Sequence, residues 1–311
     1  MQNKLPVSVL ILAQNEETNL PFALESVRND FDQIIVADSF STDKTLSICR
    51  NYPEVEVYQH VFEHWADQRN WMLGNCKIRN EIVFFLDADE YINKQFVEEL
   101  RKIIDSGRDF KGIALPNQFI YLNSNLKYAY GHPCKRRIFK KAGLLFKGEG
   151  AREYDNVTGE IIFMRNPLIH RDRNPISNWI HKHNNNSDRE VELYLKRRGG
   201  QGSDPKYKDI ASRTRLKWLI RDSIWNKLPL LVRPVSYFVY RYIFGLGFLD
   251  KLTGLIYCYL HAFWYHTLID IKIIEKMSGR ENAAPDRAFD DVRRSLMPVT
   301  VLIMTERGQT R

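Results

Sequence analysis

Residues 7–13 form a short run of β-branched and apolar side chains without the alternation of a half-exposed strand, the pattern of a strand buried on both faces of a parallel sheet. Asn15-Glu16-Glu17-Thr18-Asn19 follows with turn and helix-start chemistry. The pattern recurs. Residues 33–37 are apolar and stop at Asp38-Ser39, after which Ser41-Thr42-Asp43 precedes a helix predicted over residues 45–51. A third strand is expected at residues 55–61 and a helix at 65–76. Residues 81–86 give the strongest strand signal and end abruptly in Asp87-Ala88-Asp89-Glu90, with a helix predicted over residues 94–104. Alternating strands and helices of this length predict an α/β fold, a mostly parallel sheet flanked by helices. Such a sheet binds ligands beyond the carboxyl ends of its strands, where Asp38, Asp87 and Asp89 all fall.

Strand-like runs broken by Asn, Gly and Pro continue from residue 112 to residue 170, at 113–122, 136–140 and 161–164, and read as the second half of the same domain. A helical stretch at 179–198 leads into the linker-like Gly199-Gly200-Gln201-Gly202-Ser203. The expected organisation is therefore a catalytic domain at 1–200, an amphipathic aromatic and basic helical region at 201–280, and a tail at 281–311 with a short strand at 299–304. Residues 213–276 interleave Trp, Tyr, Phe and Leu with Lys217, Arg221, Lys227, Arg233 and Arg241, the composition of a helix lying at an anionic bilayer surface. Residues 252–269 carry no Asp, Glu, Lys or Arg, but include His261, His266, Thr253 and Gly254, so the stretch is borderline for a spanning helix and is set against an interfacial or buried helix pair.

Charge changes the picture by requiring an anionic partner. The chain of 311 residues has a formal net charge of +8, which suits nucleic acid, acidic lipid or a phosphorylated substrate. Cys49, Cys76, Cys134 and Cys258 are scattered, without zinc or disulfide spacing, so a reducing compartment is expected. The chain begins without a signal-peptide pattern, and the catalytic part is expected on the cytoplasmic side. No G-x-G-x-x-G or P-loop pattern occurs, which argues against dinucleotide and P-loop chemistry, and the loop after the first strand is acidic, which argues against the Gly-rich basic loop of a nucleotidyltransferase.

The acidic step Asp87-Ala88-Asp89 carries the most chemistry. Two carboxylates at i and i+2 at a strand end can converge on one divalent cation, and hard oxygen ligands suit Mg²⁺ or Mn²⁺, as a leaving diphosphate requires. The competing reading makes these acids caps of the helix at 94–104. For Asp38 the competing role is a cap on residues 41–45, and for Arg69 an ion pair with Asp67 or Glu63 on its own helix.

Four segments in order resemble the family 2 glycosyltransferases of the GT-A fold. Val7-Ser8-Val9-Leu10-Ile11-Leu12-Ala13-Gln14-Asn15-Glu16-Glu17 is similar to that family's opening strand and loop, and Val36-Ala37-Asp38-Ser39-Phe40-Ser41-Thr42-Asp43-Lys44-Thr45 to its second signature. Gln68-Arg69-Asn70 is similar to its Arg-Asn helix, and Asp87-Ala88-Asp89 falls where it carries the acidic motif. The resemblance implies a GT-A, Rossmann-like sheet and a nucleotide-sugar donor, with a UDP-sugar favoured. Donor-binding roles fall to Gln14, Glu16, Asp38, Arg69 and Asp87, and metal-binding roles to Asp87 and Asp89. Pro167-Leu168-Ile169-His170 is similar to a strand-ending segment of related sequences, which makes His170 a further metal or diphosphate ligand.

An inverting transfer needs a general base. In the subgroup resembling bacterial lipopolysaccharide core glucosyltransferases a His-Glu pair occupies the region of residues 147–154. Glu153 matches its Glu, Arg152 stands in place of the His, and Glu149 competes as the base. Residues 228–234, 240–242 and 245–250 also look like that subgroup's tail and imply docking to a membrane that carries the acceptor. The expected protein is thus an inverting, metal-dependent glycosyltransferase. It acts on a lipid-linked glycan or lipopolysaccharide-type acceptor as a peripheral or monotopic protein at the cytoplasmic face of the inner membrane, without nucleic acid. The alternative is a non-catalytic peripheral membrane-binding protein with a degenerate transferase fold.

Overall fold

The computed structural model describes residues 3–131, 134–148, 153–199 and 228–281. The opening pattern folds as four strands, β1 (Leu5–Ala13), β2 (Phe31–Asp38), β3 (Val55–Gln59) and β4 (Ile82–Asp87), separated by α1 (Leu20–Val27), α2 (Thr45–Arg50) and α3 (Trp65–Asn75). They lie side by side in the order β3-β2-β1-β4, all parallel. Both faces of this half are covered, which is why its strands read as unbroken apolar runs. Phe84 packs on one face with Phe31, Phe96 and Leu100, while its neighbour Phe85 packs on the other with Leu10, Ile35, Met72 and Phe139.

The acidic step turns into β5 (Glu90–Tyr91) and then α4 (Lys94–Asp105). The strand-like runs beyond it are β6 (Gly112–Tyr121), β7 (Ser124–Leu126), β8 (Cys134–Lys140), β9 (Phe146–Lys147), β10 (Tyr154–Asp155), β11 (Ile161–Phe163) and β12 (Leu168–His170). Most join the same sheet, in the order β4-β8-β6-β12-β5, with β7 and β11 on β6, whereas β9 and β10 pair separately. The fold is the expected α/β sheet flanked by helices, but its second half is mixed, because β8 runs antiparallel to both β4 and β6.

The chain divides into two units, residues 1–178 with 249–253, and residues 179–248 with 254–311. The sheet belongs to the first. The second holds most of α5 (Ile176–Arg198), then α6 (Val232–Val239), which continues into a π-helical turn at Tyr240–Phe244, and most of the stretch formed by α7 (Lys251–Cys258), a second π-helical turn at Tyr259–Trp264 and α8 (Tyr265–Glu281). Its core is Val191, Ile269 and Ile273, with Tyr194, Leu195, Leu230 and Tyr265 packed on them. Arg233, expected at a bilayer surface, is instead buried. Its Nε donates to Asp270 Oδ1 at 2.7 Å, and Asp270 Oδ2 accepts from Leu231 N at 2.7 Å. A cation taken out of water needs such a partner, so this arginine holds helices together rather than facing lipid. Lys217, Arg221, Lys227, all but Gly199 of the expected linker, and the tail with its expected strand lie outside the described residues.

Among the described residues no single helix is long and apolar enough to cross a membrane. The pair Val232–Phe244 and Gly247–Gly279, bent by 71°, meets the length and composition of a broken span.

Phe84 has no exposed surface and stacks near Phe31 and Phe96, at centroid distances of 6.0 and 5.6 Å. Phe84→Ala is expected to destabilise the sheet by about 3–5 kcal/mol, read as a lowered urea midpoint at unchanged slope.

Candidate active site

The topology decides which residues meet. Because β8 is antiparallel to both β4 and β6, strands β4, β6 and β12 point the same way. The carboxyl ends of β1, β2, β4 and β12 therefore share one edge with the first residues of β8. Asp38, Asp87 and His170 end strands there, Gln14 follows the end of β1, and Arg137 is the fourth residue of β8.

The loops after β1 and β2 are fastened to each other. Gln14 Nε2 donates to Ser39 O at 3.2 Å, Asn15 N to Ser41 Oγ at 2.8 Å, Thr42 N to Asn15 Oδ1 at 2.8 Å, and Glu16 N to Thr45 Oγ1 at 2.9 Å. Asn15 adopts a left-handed backbone with φ of 55°, a conformation Asn tolerates better than most residues. Glu16 is buried, and its Oε2 accepts from Asn19 Nδ2 at 2.8 Å and Asn174 Nδ2 at 3.4 Å. Asp38 is fully buried and accepts from Ser41 N at 3.1 Å and Gln59 Nε2 at 3.1 Å. It braces the start of its loop, while the turn into α2 is held by Asp43 Oδ1, which accepts from Thr45 N at 2.9 Å.

At the end of β4 the charges form one connected set. Arg69 does not pair with Asp67 or Glu63 along its helix. It is buried, donates from Nη2 to Asp87 Oδ1 at 3.2 Å, and places Nε 2.7 Å from Glu153 Oε1. Its guanidinium also lies over the Phe85 and Phe146 rings, at 5.1 and 5.6 Å. Arg137, also buried, grips Asp87 with both Nη atoms and donates to Glu90 Oε1 at 2.8 Å, where Lys135 Nζ stands at 3.4 Å. Glu90 Oε2 accepts from Asp87 N at 3.1 Å, which closes the turn. Nor do the acids cap α4, whose first turn is held by Asn93 accepting from Phe96 N at 2.9 Å. Burial opposes ionisation of Asp87, but Arg137, Arg69 and Lys135 hold its carboxyl well below the usual range. Burial likewise resists the charge on Arg137, and Asp87 and Glu90 more than offset it.

Asp89 reaches His170, with Oδ2 3.2 Å from Nε2. Its carbonyl accepts from Arg171 N at 2.9 Å, which pins the acidic turn to the end of β12. Burial lowers the tendency of His170 to take a proton, and the Asp89 carboxylate reverses this and raises its pKa above the ordinary value. The expected trio of Asp87, Asp89 and His170 is thus divided. Asp89 and His170 are together and Asp87 belongs to the arginines, and among the described residues no three His, Cys, Asp or Glu gather closely enough to hold a metal. Of the two candidate bases, Glu153 stands against Arg69, and Glu149 lies outside the described residues with Arg152.

Arg137, Lys135 and Glu90 were not among the residues expected from the sequence. Lys135-Arg136-Arg137 immediately before the buried Ile138-Phe139 was a usable signal, since a strand that enters a core through three cations needs carboxylates at its mouth.

The family model described as "Glycosyl transferase family 2" matches residues 8–166. The chain is 24% identical over 260 residues to an uncharacterized glycosyltransferase of Rickettsia bellii, covering 79% of this chain and 81% of that one. It is 30% identical over 113 residues to the lipopolysaccharide core biosynthesis glycosyltransferase LpsC of Rhizobium meliloti, covering 35% and 41%. Among solved structures, S. aureus TarS 1–349 in complex with UDP-GlcNAc aligns with a TM-score of 0.42 and 16% identity, over 89% of this chain and 92% of that one.

Arg137→Met removes the shared partner of two carboxylates and is expected to cost about 3–5 kcal/mol at pH 7 in urea unfolding. The folded pKa of Asp87 is depressed, so its contribution is present above the unfolded value and lost as pH falls through the folded one. The deficit of Arg137→Met should therefore shrink below about pH 4.

Proposed function

Since the chain belongs to glycosyltransferase family 2, we propose that it transfers a sugar with inversion from a UDP-sugar to a lipid-linked or lipopolysaccharide-type acceptor, assisted by Mg²⁺ or Mn²⁺. The observation that carries this reading is the pairing of Asp89 with His170 beside the Asp87–Arg69–Arg137 set. Asp89 Oδ2 and His170 Nε2, 3.2 Å apart, have about the spacing of two neighbouring ligands on an octahedral ion with bonds near 2.1 Å. Both would hold the ion, with Asp87 bordering it. The ion would neutralise charge on the departing diphosphate.

Electrostatics favour this assignment. Among the described residues of this network, Arg69, Arg137 and Lys135 are matched by Glu153, Asp87 and Glu90. A divalent ion held by Asp89 and His170 would supply positive charge for a diphosphate. In the proposed roles Glu16 and Asp38 shape the nucleoside side, the exposed Gln14 lies beside them, and Arg69 swings from Glu153 toward the phosphates. Glu153, released from its ion pair, then takes the acceptor hydroxyl's proton.

The acceptor reading rests on the likeness to LpsC and on the second unit. Tyr240, Ile243, Phe244, Leu246 and Phe248 are exposed around the first π-helical turn, with Phe244 at 74%. Such a cluster, in a chain of net charge +8, suits an anionic bilayer at the cytoplasmic face of the inner membrane.

With Mn²⁺ present, a screen of UDP release across UDP-sugars is expected to find one productive donor, and Asp89→Ala to lower that rate by about 100-fold or more. Equal rates would refute the metal assignment. Glu153→Gln should reduce turnover by about 100-fold or more while Mn²⁺–UDP affinity is kept; parental turnover would shift the base to Glu149. In sedimentation with phosphatidylglycerol vesicles, Phe244→Asp is expected to lower the bound fraction at least several-fold, and parental binding would remove this face from the membrane reading.

A further inference from the structure

Asp250 is a carboxylate far from the acidic signatures, and the structure gives it three donors. Its Oδ1 accepts from Lys127 N at 3.0 Å, and its Oδ2 accepts from Tyr128 N and Ala129 N, each at 2.8 Å. These three amides belong to the segment that leaves the sheet after β7, where Leu126 is fully buried and paired with Phe119. A carboxylate that collects successive backbone N–H groups acts as a clasp, because each charged hydrogen bond is stronger than a neutral one and all three depend on one side chain. Asp250 ends a short 3-10 turn (Gly247–Asp250), and Lys251 next to it adopts a left-handed backbone with φ of 57°. The chain is thus bent where the carboxylate is delivered.

The clasped segment leads to the active site. Tyr130, the residue after the third donor, stacks on Phe119 at a centroid distance of 4.4 Å and an interplanar angle of 15°. Phe119 also meets the Tyr121 ring, stacked at 6.2 Å, and the His170 ring, edge-on at 4.8 Å, and His170 is a partner of Asp89. The path from Asp250 is therefore one clasped loop, two stacked rings and the imidazole.

We propose that Asp250 is a positioning residue. By clasping residues 127–129 it sets Tyr130 against Phe119 and so fixes the ring of His170, which couples residues 249–253 to the end of β12. Its effect on turnover rests on the transferase reading above; the clasp itself does not. Asp250 would touch neither donor nor acceptor, and its substitution would act through ring placement.

The test uses the full chain with Asp250→Ala, with Asp250→Asn as a milder variant that keeps one accepting oxygen, and Tyr130→Ala. In Asp250→Ala the amides of residues 127–129 should lose hydrogen-exchange protection and the nuclear Overhauser contacts among the Tyr130, Phe119 and His170 rings should weaken, at an unchanged far-ultraviolet spectrum. Turnover of the best UDP-sugar should fall by about 10- to 100-fold, as a displacement of about 1 Å can cause, and Mn²⁺–UDP affinity should fall with it, because the displaced imidazole is a proposed metal ligand. Asp250→Asn should fall between parent and Asp250→Ala. The double variant Asp250→Ala/Tyr130→Ala should be no slower than the slower single variant, because residues acting through one path are not additive. Persisting ring contacts, parental turnover, additive losses, or Mn²⁺–UDP affinity kept at the parental level while turnover falls would each overturn the proposal. If the parent turns over no UDP-sugar, the donor reading fails by itself, and the exchange and ring-contact measurements still decide for or against the clasp.

Discussion

A guanidinium between two carboxylates organises this protein. Arg137 reaches Asp87 on one side and Glu90 on the other, in a position almost without solvent. The arginine would not stay buried there without them. Because Asp87 and Glu90 bracket the turn after β4, their common partner fixes the turn, and the turn decides where Asp89 points.

Much of the remaining site follows from that constraint. With Asp87 held by Arg137 and Arg69, Asp89 is directed at the end of β12 and meets His170. Arg69 then has a second partner in Glu153, so the proposed base and the acid of the strand end are linked through one cation. A site built in this way is poised rather than open, since an anionic ligand that draws Arg69 away changes the surroundings of both Asp87 and Glu153 at once. The fastened loops after β1 and β2 serve the opposite end. Their hydrogen bonds make a rigid rim from polar side chains that would otherwise be loose.

The second unit is organised around a similar device of different purpose. Arg233 and Asp270 form a buried pair that also ties down Leu231 N. Arginine was expected in this region for its affinity to acidic lipid, yet the one that is buried carries no surface role. The apolar side chains around the first π-helical turn are left outside instead.

Read from the chain alone, the parallel half of the sheet was visible, because strands covered on both faces must be apolar throughout and must stop at polar residues. The same logic exposed Asp38, Asp87 and Asp89. Glu16, Gln14 and Arg69 came only through resemblance, and the competing reading of Arg69, an ion pair with Asp67 or Glu63, looked only along its own helix, since residues on one helix are the only neighbours a sequence displays. What tertiary structure alone decided is the company these residues keep. That Arg137 meets Asp87 depends on β8 running against β4, and that Asp250 meets residues 127–129 depends on a contact across more than 120 positions. Local pattern reports what a side chain does to its own strand or helix. Which charge a buried carboxylate faces is set by the direction of strands and the return of distant segments, and no local pattern encodes either.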